Sequence, residues 1–555
     1  IALLLTPISI IGTTWLYLYP LFHGCGFPVP PPNNLSSPSP QPRIAPFRLL
    51  ALGDPQLEGD SSLPKPGTPI FPAFRFLEED LRNAQTWSKR KEILGHALKR
   101  AVTKDAPKWL GGKRKMLDLW GNDYYLAHIV RSLRWWTEPS HVAVVGDLLG
   151  SQWISDGEFE TRAERYWGRV FKGMEKVPDR VMEGEAQSVD GEKKTWGKTV
   201  EILGADKGWE NRVINIAGNH DVGYAGDMSP NRIERFERAF GKAHWDIVFT
   251  LPIPPPPPPP HELDSPGSDE PIDSSPPALR IVIFNSMNLD TPALSHSLQM
   301  ETYDFVNHII STSRPVTDKT HATILLTHIP LHKESGICVD SPFFSFHPSG
   351  SGVKEQNMLS EYASKMLLEG MFGLSGNQEA EGQGLGRRGI ILNGHDHEGC
   401  DVVHYISRPK QEEEEEEEEE EGGQIEQPDS ITGVLKEAQN QMADSLSTPE
   451  IDGDMAANGT TLSTDADFDS DPPPTHWLAT HTPTTIPHTT PQIREITLRS
   501  MMGDFSGYAG FLSAWYDPVL GEWKLEFETC GVGVQHWWWG VHVVNVVLLA
   551  ALGVG

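Results

Sequence analysis

Residues 213–221, VINIAGNHD, carry the pattern that decides the fold class. A short run of β-branched and aliphatic residues predicts a buried strand, and the polar residues Asn219, His220 and Asp221 follow it after Gly218. Ligands of open α/β sheets bind at the carboxyl ends of strands. This stretch therefore predicts an α/β fold with a ligand site at one edge of its sheet.

Four more predicted strands end in the same way. Their polar ends are, in chain order, Asp54 with Gln56, Asp147, His328, and His395 with His397, after runs at 48–53, 142–146, 322–327 and 389–393. Further strands are predicted at 246–251 and 280–285, helices at 158–171, 231–240, 301–310 and 354–368, and an added sheet from runs near 493–498, 510–515 and 523–527. We expect all five polar ends to converge on one site.

The residue types of these strand ends indicate a metal site. Two carboxylates, two carboxamides and three imidazoles supply oxygen and nitrogen ligands, which suit Mn, Fe or Zn better than ions that prefer thiolates. Seven donors are too many for one tetrahedral ion but enough for two ions that share a carboxylate. Two such ions can clamp the attacking and leaving oxygens of a phosphoryl displacement.

Composition excludes several other classes of protein. A chain of 555 residues with 38% hydrophobic content can bury a large core, so it is neither wholly disordered nor a small disulfide scaffold. Its net charge of −30 argues against general nucleic-acid binding. Residues 409–475 hold 21 acids and two lysines, so they alone supply −19 of that charge. Four distant cysteines leave one or two disulfides possible, with the pairing open.

Both ends of the chain are apolar enough to suggest membrane segments. Residues 1–22 contain no charged residue and are predicted to be a transmembrane anchor rather than a cleaved signal peptide. Residues 537–555 are predicted to be a second transmembrane segment, whose truncation stays open. Linker composition marks 23–47, the proline-rich insertion 252–278 and the acidic insertion 409–490 as disordered. A catalytic domain is predicted at 48–408, with terminal strands at 491–530. Sequons at Asn34 and Asn458 mildly favour a glycoprotein whose residues between the membrane segments have a lumenal or extracellular location.

The ordered motifs GDPQ, GDLL, GNHD, TH and GHDH resemble those of the calcineurin-like metallophosphoesterase superfamily, which run DxH, GD, GNH(D/E), H and GHxH. The resemblance implies a layered β-sandwich flanked by helices and two divalent metal ions, manganese first, with iron or zinc as alternatives. It implies a metal-bridging hydroxide as the nucleophile.

Residue roles follow from the same resemblance. Asp54, Gln56, Asp147 and His397 would hold the first metal, and the second would be held by the residues Asp147, Asn219, His328 and His395. His220 would protonate the leaving oxygen, with Asp221 orienting its ring. Gln56 departs from the pattern, because the superfamily usually has His there and a carboxamide is a weaker, neutral ligand.

Residues 144–167, together with 122–130 and 393–405, resemble a particular branch, the membrane-anchored phosphodiesterases that remove ethanolamine phosphate from mannoses of GPI anchors. This implies a GPI glycolipid or GPI-anchored protein as substrate, no nucleic acid, a lumenal domain in the endoplasmic reticulum or Golgi membrane, and a role in transport between them. Two alternatives stay open: a metallophosphoesterase for another phospholipid or a nucleotide, and a non-catalytic trafficking scaffold of the same fold.

Overall fold

A computed structural model of the protein describes residues 2–31, 44–59, 68–184, 196–252, 275–348, 350–407, 476–487, 489–502 and 506–554. Both sequons, the acidic run 412–421 and most of the insertions predicted at 252–278 and 409–490 lie outside the described residues.

Two mixed sheets form the centre of the fold, and helices lie outside them. The helices are α1 (Ala2–Phe22), α2 (Leu77–Asn83), α3 (Trp87–Arg100), α4 (Ala106–Thr137), α5 (Asp156–Arg165), α6 (Asp179–Glu183), α7 (Asn219–Val222), α8 (Pro230–Phe240), α9 (His296–Thr312), α10 (Glu361–Lys365) and α11 (Gln535–Val554). The first strands are β1 (Phe47–Leu52), β2 (His141–Val144), β3 (Glu175–Lys176), β4 (Gly197–Ile202), β5 (Arg212–Asn215), β6 (Trp245–Thr250), β7 (Ala278–Ile283) and β8 (His321–Leu326). The later strands are β9 (Phe344–Phe346), β10 (Val353–Gln356), β11 (Arg388–Asn393), β12 (Cys400–Ser407), β13 (His476–His481), β14 (Gln492–Thr497), β15 (Ser506–Asp517) and β16 (Glu522–Val534).

The six-stranded sheet has the order β16-β15-β1-β2-β5-β3, and the eight-stranded sheet has the order β13-β12-β14-β11-β8-β7-β6-β4. Side chains alternate along each strand, as a period of two requires. In β2, Ala143 belongs to a buried cluster shared by both sheets, whereas Val142 and Val144 belong to a second cluster formed with the helices. Both faces of β2 are therefore covered, which is why its sequence is continuously apolar.

The α/β class expected from the sequence is confirmed, with two corrections. The runs near 493–498, 510–515 and 523–527 add no separate sheet, because β14 joins the eight-stranded sheet and β15 and β16 join the six-stranded one. The helix predicted at 354–368 is wrong in its first part. Residues Val353–Gln356 form β10, paired with β9, and helix begins only at Glu361.

A long helix was not anticipated. α3, the π-helical turn Ala101–Asp105 and α4 follow one another without interruption, and burial in α4 begins only at Leu119. Of the residues before Leu119 in this helix, only Ala101 is buried, so its first part is exposed.

The chain ends come together beside the six-stranded sheet. By length and composition, α1 and α11 are each able to cross a membrane. They pack on each other, since Ser9 lies 2.6 Å from Asn545 and a Cβ at Gly12 would contact Val541. Cys25 pairs with Cys530, and Cys338 pairs with Cys400, which settles the pairing that the sequence left open.

Candidate metal centre

The five polar strand ends do converge, although not at the edge of a single sheet. Asp54, Asp147 and Asn219 follow β1, β2 and β5 of the six-stranded sheet, whereas His328 and His395 follow β8 and β11 of the eight-stranded sheet. The ends of the two sheets meet here. This brings together two groups of side chains, Asp54-Asp147-His397 and Asp147-His328-His395, which share Asp147. Within each group, the potential ligand atoms all lie within 4.8 Å of one another.

The backbone is strained at this meeting point. Of seven non-glycine residues with positive φ in the described chain, four belong to the candidate ligands: Asp54, Gln56, Asp147 and His395. Strain of this kind persists where the surrounding structure fixes it and is common at functional sites. The positive φ angles of the short loops after the strands direct these side chains toward the candidate metal centre.

Glycines in the motif loops allow these loops to approach one another closely around the candidate ligands. A Cβ at Gly218 would contact the backbone nitrogen and Oδ1 of Asp147, and a Cβ at Gly146 would contact the ring of His328. A Cβ at Gly394 would likewise lie 2.9 Å from Oδ2 of Asp54. The glycines of the motifs are therefore explained by close approach between the loops.

Lone pairs face one another in the group around Asp147, His328 and His395. Nδ1 of His328 lies 2.7 Å from the carbonyl oxygen of Val145, and Nε2 of His395 lies 2.8 Å from that of Gln356. Carbonyl oxygens only accept, so each ring carries its proton on that nitrogen and turns an unprotonated nitrogen toward the site. Burial lowers the pKa of His328, and that of His395 to about 4, so both rings are neutral near pH 7.

The unprotonated nitrogens meet oxygen atoms that also have no proton. Nε2 of His328 lies 3.0 Å from Oδ1 of Asn219 and 3.4 Å from Oδ1 of Asp147, and Nδ1 of His395 lies 3.0 Å from the same Asn219 oxygen. An amide flip of Asn219 would relieve its own contacts, but the Asp147 carboxylate has no proton to give. A cation satisfies all of these atoms at once, so the donor set fits a divalent metal.

Two buried carboxylates add to this negative potential. Asp54 and Asp147 are each 1% exposed. Burial and the charge of Asp147 raise the pKa of Asp54 well above its usual range. Burial also acts to raise the pKa of Asp147, but the neighbouring histidines, when protonated, and the backbone N–H of His220 together lower it by more. Positive charge between the two carboxylates would relieve their repulsion.

Gln56 lies beside Asp147 and His397, but its amide nitrogen, and not its oxygen, faces them. Its Nε2 donates to Oδ2 of Asp147 at 3.1 Å and lies 3.0 Å from Nε2 of the exposed His397. Rotation about the last bond of the side chain exchanges Nε2 and Oε1. Gln56 would have to make this rotation to act as a ligand.

His220 and Asp221 are both present but are not paired. Asp221 is fully buried and accepts hydrogen bonds from the backbone nitrogens of Leu148, Leu149 and Gly218, at 3.0 to 3.1 Å. Nδ1 of His220 has no hydrogen-bond partner among the described residues, and Nε2 lies 3.7 Å from Oδ2 of Asp147. Asp221 thus joins the second and third motif loops, whereas the resemblance implied that it orients His220.

Some site residues were missed by the sequence reasoning. The carbonyl of Gln356 fixes the proton of His395, but a backbone group leaves no mark in a sequence. Ser500 donates to the carbonyl oxygen of Asp54 at 3.0 Å. It follows β14, so the rule that polar residues at strand ends belong to the site could have found it.

A cavity adjoins the metal centre on the side of the apolar helices. Gln56, His397 and Ser500 line one wall, and Asn122 and Leu126 of α4 line another. Oδ1 of Asn122 accepts a hydrogen bond of 2.6 Å from Gln535, the first residue of α11. The cavity therefore lies close to the base of the helix pair.

Fold and site define an α/β protein with a candidate centre for two divalent cations. No family model matches the chain. It is 28% identical over 474 residues to Protein TED1 of Saccharomyces cerevisiae, covering 78% of this chain and 76% of that protein. It is 28% identical over 294 residues to an uncharacterized protein of Schizosaccharomyces pombe, covering 52% and 57%. It is 23% identical over 203 residues to Metallophosphoesterase 1 of Danio rerio, covering 35% of this chain and 44% of that protein. These similarities give the chain a distant, metallophosphoesterase-like relationship.

Proposed function

We propose that the protein is a divalent-metal-dependent phosphodiesterase that removes ethanolamine phosphate from a mannose of GPI anchors, at the lumenal face of the endoplasmic reticulum or Golgi membrane. The observation that carries the hydrolase class is the convergence of unprotonated nitrogen and oxygen atoms around Asp147. The relationship to Metallophosphoesterase 1 supports the same class. The GPI substrate rests on the sequence resemblance described above.

Two ions would be held by the sequence-derived set. Asp54, Gln56, Asp147 and His397 would hold one, and Asp147 would be shared with a second ion held by the other three residues, Asn219, His328 and His395. Divalent ions at such a site supply positive charge to phosphate oxygens and lower the pKa of water. The protein itself would hold the donor atoms in place, keep the protons of His328 and His395 on the nitrogens that face away from the ions, and position the substrate.

His220 is suited to protonate the mannose oxygen as the phosphorus-oxygen bond breaks. Its backbone nitrogen donates to Oδ1 of Asp147 at 2.8 Å, which fixes the residue beside the donor set. About a third of its side chain is exposed, so a substrate can reach it. An imidazole that carries a proton on the nitrogen facing the leaving oxygen can donate it as the bond to phosphorus breaks.

The surroundings of the site support a membrane-bound substrate in an oxidising compartment. The cavity beside the centre reaches Asn122, which is hydrogen-bonded to the first residue of α11. A phosphodiester on a glycolipid would approach from that side. Two disulfides are typical of lumenal and extracellular proteins.

The direct test is mass spectrometry of a GPI glycan that carries ethanolamine phosphate on its mannoses, incubated with the full chain in detergent and Mn²⁺. We expect loss of the mass of one ethanolamine phosphate, with retention of the mannose. Retention of every ethanolamine phosphate by a preparation that still cleaves an aryl phosphodiester would discard the GPI substrate and keep the hydrolase.

The role of His220 is tested with two leaving groups. His220→Ala should lower kcat on the mannose ester by on the order of 10² to 10⁴, and much less on an activated aryl ester, which needs no proton. His296→Ala removes an exposed histidine at the start of α9 and serves as the matched control. Equal losses on both esters would contradict a role as general acid.

A further inference from the structure

A strongly basic helical segment stands out from an acidic chain. We call residues 87–120, which comprise α3, the π-helical turn and the first half of α4, the basic arm. It contains ten Lys and Arg against three Asp and Glu, a net charge of +7 in a chain whose net charge is −30. The proposed phosphodiesterase function makes no use of this segment.

The arm is exposed along its length and carries large apolar side chains. In the arm, all of which the structure describes, only Ala101 and Leu119 are buried. The exposed fractions of its apolar side chains are 71% for Trp87, 49% for Leu94, 55% for Leu98, 62% for Val102, 60% for Leu110 and 54% for Leu117. Soluble surfaces seldom present so many large apolar residues together.

These side chains are ordered along the helix. At about 100° per residue, Trp87, Leu94 and Leu98 lie within a narrow sector of α3, and Lys91 lies in the same sector. By the same spacing, Arg90 lies about 60° from Trp87 on one side of this sector, and Lys99 lies about 120° from it on the other side. An apolar stripe bordered by Lys and Arg is the pattern of helices that lie in a membrane surface.

The basic arm faces the same way as the part of α4 that contacts the apolar helices. On α4, Leu110, Leu117, Gly121 and His128 share one side of the helix by the same spacing. Gly121 touches Trp539 of α11, and Nε2 of His128 lies 3.2 Å from the carbonyl oxygen of Leu16 in α1. Leu110 and Leu117, which are exposed, therefore lie on the same side of α4 as Gly121 and His128, which meet the apolar helices.

The contacts of α4 with those helices involve their domain-proximal ends. Trp136 of α4 donates to the carbonyl oxygen of Tyr17 in α1, and Asn122 accepts from Gln535 in α11. Beyond these ends, the apolar side chains of both helices are largely exposed, as Leu3 at 92% and Leu549 at 68% illustrate. A membrane that takes up α1 and α11 would meet the basic arm beside them.

We propose that the basic arm lies on the surface of the membrane that α1 and α11 enter and binds anionic phospholipid headgroups there. Its apolar stripe enters the headgroup boundary, and its Lys and Arg side chains pair with lipid phosphates and carboxylates. Charge complementarity and continuity with the apolar helices favour this occupant over a protein partner. The site would hold the protein close to the bilayer whether or not the chain is a phosphodiesterase.

Hydrogen exchange in nanodiscs tests the proposal on the full chain. We compare discs of phosphatidylcholine with discs in which about a third of the lipid is phosphatidylserine, and expect amides of 87–120 to exchange roughly tenfold more slowly in the anionic discs. Peptides of α9 serve as the internal reference. The difference should collapse in about 0.5 M NaCl, because salt screens exposed charges. Equal exchange in the two discs, or a difference that salt leaves unchanged, would overturn the proposal.

Charge-reversal variants separate the arm from general surface charge. Lys91→Glu/Lys99→Glu/Lys113→Glu should abolish the dependence on phosphatidylserine. The matched variant Lys207→Glu/Lys319→Glu/Lys354→Glu changes the net charge equally at exposed sites outside the arm and should retain that dependence.

The acidic run of the same chain is the competing occupant. If the arm is protected in both kinds of disc and loses that protection when residues 409–475 are deleted, the acidic segment covers the arm and the lipid proposal fails. Retention of the phosphatidylserine effect in the deletion variant would support the lipid as occupant.

Discussion

Replacing Glu495 by Gln should destabilise the protein more than any surface charge change, because Glu495 is the hub of a buried network behind the metal centre. Its side chain is fully buried and accepts from Lys333 at 2.7 Å, from His404 at 2.6 Å, from the backbone nitrogen of Leu331 at 2.8 Å and from Asn393 at 2.6 Å. Burial raises the pKa of this carboxyl, but Lys333 and His404 lower it by more, so the group is ionised.

The magnitude follows from the partner that is left behind. In Glu495→Gln, the ammonium group of Lys333, whose side chain is only 2% exposed, keeps the carbonyl oxygen of Leu331 at 2.9 Å but loses its counter-charge. Breaking a buried ion pair from one side costs about 3–5 kcal/mol. We therefore expect the free energy of unfolding to fall by that amount. Lys333→Met should cost a similar amount, and the double variant should cost less than the sum.

The assay is urea unfolding of the full chain in detergent, followed by tryptophan fluorescence. Glu78→Gln is the control, because Glu78 forms an exposed i,i+4 pair with Arg82 and should cost only about 0.3–0.5 kcal/mol. The network also ties the loop after His328 to the residue before the GHDH motif, so Mn²⁺ affinity should fall together with stability. A loss below about 1 kcal/mol for Glu495→Gln, or additive single changes, would refute the reasoning.

Three further predictions concern pH, packing and metal. Burial lowers the pKa of His141 to about 3 from 6.5, so the unfolded state binds more protons between these values. Stability should therefore fall by about 2 kcal/mol from pH 7 to pH 5 on account of this residue. His141→Phe should flatten the pH profile of urea unfolding, and an unchanged slope would contradict this. Gly218→Ala should lower Mn²⁺ affinity in calorimetric titration by roughly tenfold or more, because the new methyl group meets Asp147, whereas Gly157→Ala has open space and should bind normally. Chelation by EDTA should lower the melting temperature, since Asp54 and Asp147 then repel each other without compensation; a melting temperature that is the same with EDTA and with Mn²⁺ would mean that no ion binds the folded site.

The strands and the donor residues were accessible to sequence reasoning for a specific reason. Buried strands of parallel character have continuous apolar runs, and the seven strands predicted between 48 and 393 all exist within about two residues of the expected bounds. The donors could be found because each one follows such a run. Their convergence was expected as well, but at the edge of a single sheet. The division of the strands between two sheets could not be predicted, because it depends on long-range pairing such as that of β1 with β15.

The errors have equally local causes. Residues 353–356 have helical spacing in the sequence, but they pair with β9 and their Gln356 carbonyl accepts from His395, so tertiary contacts override the local pattern. The role of Asp221 in orienting His220 comes from a resemblance and stays a prediction. In the structure its carboxylate accepts from three backbone N–H groups, and these would lose their buried acceptor if the side chain turned to His220.

The candidate metal centre is connected to both apolar helices through the order of strands in one sheet. Asp54 stands at the end of β1, β1 pairs with β15, β15 pairs with β16, and β16 continues directly into α11. The Cys25–Cys530 disulfide fixes α1 to the same strand. Few freely rotating bonds therefore separate a candidate ligand from either apolar helix, and a phosphodiester held at a fixed height above a bilayer is the kind of substrate that such a rigid connection would serve.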